Sequence, residues 1–267
     1  MGDLHIDQPS FDSSDDSEKK KSNSNPTTET HFSETKRNHT IIWNNSNRAK
    51  ILIVVFWIII LSGMLSIYSD LLELDLLKRI EGGTDYTLEE LDANDSRQSL
   101  IAIFYTVISI ISIVVFLNWF RRAYGNLHRL KIKNLNESES SAVWYWFIPI
   151  LNLYKPVKIM SEIHSETLNF ISKKGTIKSG GIIPFLITVW WVLHIVVNVI
   201  SNIVLRYAWK SDDSVSSMIN STESYIFTEA FTIIEALIVI LMVYKISQNE
   251  TELARQVKSQ GGMVLNK

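Results

Sequence analysis

Four stretches of this chain, residues 51–68, 100–120, 182–205 and 225–244, are almost free of charge, while charged side chains crowd into the segments between them. The first, ILIVVFWIIILSGMLSIY, has 18 residues. As a helix it is about 27 Å long, close to the ~30 Å hydrocarbon thickness of a bilayer. A soluble core would instead distribute its apolar residues through the chain at helical or strand periodicity. The patterning predicts an all-α integral membrane protein with four transmembrane helices.

Composition narrows the functions open to such a chain. A net charge of −2 and a pI near 6.3 do not supply the dense Lys and Arg array that nucleic-acid binding needs, so no nucleic-acid partner is expected. The chain has no cysteine, which removes disulfides, thiolate metal sites and a Cys nucleophile. No apolar run precedes residue 51, so the first span is expected to serve as an uncleaved signal anchor.

The segments between the spans read as follows. Residues 1–49 are a polar, disordered tail, with Glu18-Lys19-Lys20-Lys21 simply solvated. Residues 50–247 form the membrane domain and 248–267 a second polar tail. Residues 69–99 are an acidic loop in which Leu71 to Leu77 extend the first helix and Gly82-Gly83 end it; the carboxylate spacing matches no EF-hand loop, and a solvated loop is expected. Residues 206–224 form a short polar loop. Ser109 and Ser112, three apart in the second span, fit close helix packing.

Between the second and third spans, residues 142–154 are apolar for only about 13 residues, too short to cross a bilayer. A Pro-broken interfacial or re-entrant segment is expected over 142–170. It should comprise a short helix, a break near Pro149 to Pro156, and an amphipathic helix from about Val157 to Phe170. Its aromatic residues and cations suit the boundary between lipid and water. Lys and Arg number 21 in the two tails and the central region against 5 in the other two loops. By the positive-inside rule the protein sits in the cell membrane with both termini cytoplasmic.

The tract Trp119-Phe120-Arg121-Arg122-Ala123-Tyr124-Gly125-Asn126-Leu127 stands at the head of a recognisable series. It is followed by Ala142 to Phe147, Pro149-Ile150-Leu151-Asn152-Leu153, Lys155-Pro156, Met160, Glu162 and the pair Trp190-Trp191. In combination these features resemble the bacterial membrane family known as domain of unknown function 4328, over roughly residues 50–250. The resemblance implies a multi-pass membrane protein, carries no assigned activity, and transfers no catalytic residue.

Polar groups within a span are costly and need partners. His194, Asn198, Ser201 and Asn202 lie within about 100° of one another on the third helix. The fourth helix carries Glu229 and Glu235. Counted from the cytoplasmic ends, Glu235 matches His194 in depth, and Glu229 matches Asn198 and Asn202, so these are the expected pairs. They serve either as interhelical glue or as a titrating pair lining a polar cavity. Arg121, Arg122, Tyr124, Asn126, Asn152, Lys155 and Glu162 form a second candidate group, a collar for anionic lipid headgroups or a phosphorylated ligand.

Enzymatic signatures are missing: there is no G-x-S-x-G, H-E-x-x-H, Walker loop or G-x-G-x-x-G. No catalytic, metal-binding or cofactor-binding residue is assigned, and no cofactor is expected. The partners implied are the lipid bilayer and, beyond it, either anionic lipid headgroups or another membrane protein. The leading expectation is a non-enzymatic scaffold or sensor acting through the aromatic–basic segment. The alternative is a small transporter or channel-like protein using the polar faces of the third and fourth spans.

Overall fold

The structure, a computed structural model, describes residues 40–133, 135–172, 181–210 and 214–266, together with Gly2. Apart from Gly2 these belong to one compact unit, His39–Lys267. The first 39 residues otherwise, and the turn expected around Lys173-Lys174-Gly175, lie outside the described residues.

Four helices are long and apolar enough to cross a membrane: α1 (Ser46–Glu81), α2 (Leu88–Arg129), α6 (Ile183–Lys210) and α7 (Val215–Ser259). Three shorter ones, α3 (Ser141–Trp144), α4 (Pro149–Asn152) and α5 (Lys155–Ser172), stand between α2 and α6. Strands β1 (Ile41–Trp43) and β2 (Met263–Leu265) flank the helices in the chain and pair in parallel, Ile42 opposite Val264.

The helices run beyond their apolar stretches, so the two polar loops expected at 69–99 and 206–224 are largely helix. In the first, α1 continues on Leu71 to Leu77 and stops at Gly82, with Gly83 at φ +70°. Helix α2 restarts after six intervening residues, behind a capping box in which Thr87 accepts from Glu90 N and the Glu90 carboxylate accepts from Thr87 N. Helix α7 begins just after Ser214, whose side chain accepts from Ser217 N. Polar side chains facing water do not stop a helix, so polarity alone placed these ends wrongly.

The tails need a similar correction. Residues 41–43 and 263–265 are paired strands, and α1 and α7 extend into both segments expected as tails. Backbone bonds lock the pairing, from Asn44 N to Leu265 O at 2.8 Å and from Met263 N to Thr40 O at 2.9 Å.

Packing places the long helices in a row, α2 on α1, α1 on α7, and α7 on α6. Helix α5 lies across α2, α6 and α7 at the end that holds the strands, here the clasp end. The main core sits there, built on Trp119, Phe120, Tyr124, Leu127, Ile159, Met160 and Met242, all fully buried. Elsewhere the helices expose large apolar side chains, among them Leu61, Ile103, Phe104, Phe185 and Leu241.

The prolines start helices here and do not break them. Pro149 occupies the first turn of α4, and Pro156 is the second residue of α5, positions where a missing N–H costs little. One break, at residues 153–154, falls within the expected stretch from Pro149 to Pro156, and a second lies before it at 145–148. Even so, the backbone of 141–154 stays bonded within its own turns, for example Trp146 N to Val143 O at 3.2 Å and Asn152 N to Ile148 O at 2.8 Å.

Candidate functional site

Helices α2 and α6 stand at opposite ends of the row, and their backbones stay apart. They meet through large rings, Phe116 and Trp190, with centroids 5.9 Å apart. Between them is a cleft of about 350 Å³. Its walls are mostly apolar, Phe56, Ile59, Phe116 and Val239 among them. Its polar groups are Tyr105, Ser109 and Ser112 from α2, His194 and Asn198 from α6, and Thr232 and Glu235 from α7.

The polar centre is a contact between α6 and α7. His194 Nδ1 lies 2.9 Å from Glu235 Oε1, and both side chains are largely removed from solvent. Three tryptophans surround the imidazole. Trp191 stacks on it at 5.4 Å, Trp146 meets it edge-on at 5.8 Å, and Trp190 lies tilted at 6.2 Å. Trp146 comes from the segment before α4, which therefore reaches into the bundle. The same segment is pinned where Trp191 Nε1 donates to Leu153 O at 3.1 Å. That contact lies ~12 Å along α6 from its start, by the helical rise.

The structure unites some of the residues singled out in the sequence and separates others. Asn198 does not bond Glu229; its Nδ2 donates to His194 O at 2.7 Å, and Asn202 donates to Asn198 O at 2.8 Å, both within α6. Glu229 faces α1 instead. Its Oε2 lies where a Cβ on Gly63 would be 3.2 Å away, and it lines a second cavity of about 510 Å³ with Ser66, Asp70, Glu73 and Tyr225. Matching depth on antiparallel helices left Glu229's rotation open, and the helix order turns it towards α1.

The collar residues fall into several separate contacts. Arg122 lies over the Trp43 ring at 3.9 Å, and Asn126 bonds the Trp43 backbone. Arg121 pairs with Glu139 at 3.6 Å. Lys155 pairs with Glu137, which also accepts from Tyr145 Oη. Tyr124 Oη donates to Glu162 at 2.8 Å. Asn152 is elsewhere, in a third cavity with Leu153, His194, Asn198 and Asn202. Glu137 and Glu139, the anions that occupy these cations, sit in the polar run 136–141, which reads in sequence as linker. Burial would push the Glu137 carboxyl up, but Lys155 and Tyr145 outweigh it and hold it below its usual range.

Two more ionisable groups were not singled out. Asp70, buried on α1, is lifted by burial to about 6 although Gln98 donates to it at 3.2 Å. Glu250 at the clasp end is lifted by burial to about 7, with the buried Asn45 amide donating to its two oxygens at 3.0 and 3.2 Å. Among the described residues no group of three or more His, Asp or Glu side chains is placed to hold a metal ion.

These features define a helical protein with four membrane-length helices and a polar-centred cleft between the two end helices of their row. The chain belongs to the family Domain of unknown function (DUF4328), which matches residues 83–248. That range holds α2 to α6 and the first part of α7, hence most of the cleft, whereas α1 and both strands lie largely or wholly outside it. No curated protein and no solved structure matches the chain.

Proposed function

We propose that this chain is a multi-pass membrane protein, with the clasp end cytoplasmic, that acts without catalysis by holding a small amphiphilic molecule in the cleft between α2 and α6. The observation that carries the reading is the cleft itself, apolar-walled, about 350 Å³, with its polar groups converging on His194 and Glu235. Binding sites for small molecules have that size and that pattern of apolar lining with few placed polar groups. Ionisable side chains at membrane depth also mark functional sites more than structural ones.

The orientation rests on the sequence count of 21 Lys and Arg in the two tails and the central region against 5 in the other two segments between spans. The segment 141–154 is read as re-entrant. Its backbone groups bond one another, as backbone leaving a helix at membrane depth must, and it lies against α6 well below that helix's start. The bilayer is the partner of the exposed apolar band.

A scaffold or sensor acting through the aromatic–basic segment is the second reading. It is favoured by Trp144, Phe147, Ile150 and Leu153, which expose apolar surface suited to another membrane protein. Headgroup recognition by its cations is less favoured, because Arg121, Arg129 and Lys155 are engaged by Glu139 and Glu137.

The test is water access. The chain has no native cysteine, so Ser109→Cys and Asn198→Cys are expected to react with a charged, membrane-impermeant thiol reagent. Val196→Cys, about 200° round α6 from His194, is the unreactive control. Protection at both cleft positions overturns the binding reading in favour of a packed scaffold.

A further inference from the structure

Three helices each carry one stripe of residues along the two cavities. On α1 it runs Ile59, Gly63, Ser66, Asp70 and Glu73; on α2 Gln98, Ala102, Tyr105 and Ser109; on α7 Tyr225, Glu229, Thr232 and Glu235. Successive members are three or four residues apart, one face of a helix. Towards the end that carries Glu81 and Leu88, the acidic end, these stripes line the cavity of about 510 Å³ that holds Asp70, Glu73 and Glu229. Deeper in, they line the cleft that holds Glu235 and His194. Tyr105 lines both cavities. Glu229 stands beside the junction, and its Oε2 is buried with no hydrogen-bond partner. Gly63 makes room for that carboxylate, because a Cβ there would lie 3.2 Å from it.

We propose that the acidic-end cavity is a proton entry route, in which Asp70 and Glu73 collect protons, Glu229 passes them to Tyr105, and Tyr105 delivers them to the Glu235–His194 pair. The inference rests on the cleft proposed above and adds the direction from which its polar centre is protonated. Each step moves one proton. A protonated Glu229 gives its proton to the Tyr105 oxygen as that hydroxyl releases its own towards Glu235. The proton then passes to His194, leaving an imidazolium beside a carboxylate. Glu229 and Glu235 are six residues apart on α7, ~9 Å by the helical rise, so the Tyr105 hydroxyl and water in the cavities must bridge them.

The groups around this route are consistent with such a role. Glu229 is faced by Asp70 and Glu73 from α1, Tyr105 from α2 and Tyr225 from its own helix. Asp70 is held by Gln98, and Arg97 anchors the same corner through Ser69 Oγ at 2.9 Å and Asn94 Oδ1 at 2.5 Å. Glu235 is faced by His194 from α6 and Tyr105 from α2. Among the described residues no lysine or arginine lines either cavity, so no fixed cation there blocks the passage of a positive charge.

The tryptophans provide the readout, because an imidazolium quenches neighbouring indoles and three lie within 6.2 Å of His194. The full chain is placed in sealed vesicles sorted by orientation, and one compartment is acidified. The signal is the wild-type fluorescence change minus that of His194→Gln. Acid at the acidic end is expected to quench promptly, and acid at the clasp end is not. Glu229→Gln and Tyr105→Phe should each slow the response at least tenfold, while Glu229→Asp restores most of it. Where Glu229→Gln does not fold, Tyr105→Phe and Glu229→Asp decide. Quenching that follows clasp-end acid, or an unchanged rate in Tyr105→Phe, overturns the route. Because Asn198→Cys labelling is read separately, a hydrated cleft with no directional quenching refutes the route alone. An unlabelled cleft refutes the binding reading and, with it, the route that rests on it.

Discussion

The side-chain amide of Asn126 closes on the backbone of Trp43 at two points, Oδ1 accepting from Trp43 N at 2.9 Å and Nδ2 donating to Trp43 O at 2.7 Å. A parallel pair of three-residue strands is too short to hold by itself. Asn126 on α2 stands in for a third strand, and the guanidiniums of Arg122 and Arg129 lie 3.9 and 3.8 Å from the Trp43 ring centroid. The clasp thereby ties the start of α1 and the end of α7 to α2. Arg122 and Arg129 are employed here in holding the chain together.

Asn126→Ala removes both of these bonds to the Trp43 backbone, a loss of about 1–3 kcal/mol. The clasp is expected to open before the bundle does. Hydrogen exchange should rise at the amides of 41–43 and 263–265 while those of α6 and α7 near His194 stay protected. Uniform loss of protection would show that the clasp and the bundle are one cooperative unit.

Stability should also respond to pH through Glu250. Its folded pKa is raised to about 7, above the ~4.3 of an unfolded glutamate. Between those values the folded chain binds more protons than the unfolded one, so stability falls as pH rises from about 4.5 to 7. Asp70, raised to about 6, adds a smaller effect of the same sign. Glu250→Gln removes the buried charge and keeps an acceptor for Asn45. It should gain on the order of 1–3 kcal/mol over wild type at pH 8 and almost nothing at pH 5. Melting temperatures in detergent at the two pH values decide this, and an equal difference at both would refute it.

What could be read from the sequence, and what could not, divides along physical lines. The long helices were legible because an uncharged stretch of membrane length has few other solutions. The His194–Glu235 contact was legible because two costly groups at equal depth on neighbouring helices seek each other. Glu229 escaped because depth does not fix rotation; its neighbour is Gly63, whose missing side chain leaves no mark in a hydropathy pattern. The clasp escaped because it pairs residues more than 200 apart through three-residue strands. Glu137 and Glu139 escaped because a polar run that neutralises cations has the composition of a linker. The start of α2 was in fact signalled, by the Thr87 to Glu90 capping box inside what reads as an acidic loop.

Glu137 also fixes the segment that closes the cleft. It joins Lys155 at the start of α5 to Tyr145, the residue before Trp146. Glu137→Ala releases both tethers, and Trp146 should then leave His194 more often. Labelling of Asn198→Cys by the charged reagent is expected to speed up severalfold in the Glu137→Ala background. Because the Glu137 carboxyl is held below its usual range, its tether is present above about pH 4.5 and is lost as pH falls further. The opening seen in Glu137→Ala should therefore be reproduced in wild type by strong acid alone. An unchanged labelling rate in the variant would mean that the Trp191 to Leu153 bond holds the segment unaided.

The last prediction concerns Gly63, where α1 approaches α7 most revealingly. A Cβ there would stand 3.1 Å from Ile233 Cγ1 and 3.2 Å from Glu229 Oε2, tighter than ordinary contact. Gly63→Ala recovers about 1 kcal/mol of helix propensity and spends a similar amount displacing Ile233 and the carboxylate, so its melting temperature should stay near that of wild type. Gly63→Leu cannot be accommodated by such a shift. Overpacking is expected to cost about 1–3 kcal/mol, and it forces α1 and α7 apart where their polar stripes meet. A cysteine pair placed across this contact should cross-link in wild type and Gly63→Ala but not in Gly63→Leu. Equal cross-linking and stability in all three would mean that the close approach at Gly63 contributes nothing to how these helices pack, and that the space left for Glu229 is incidental.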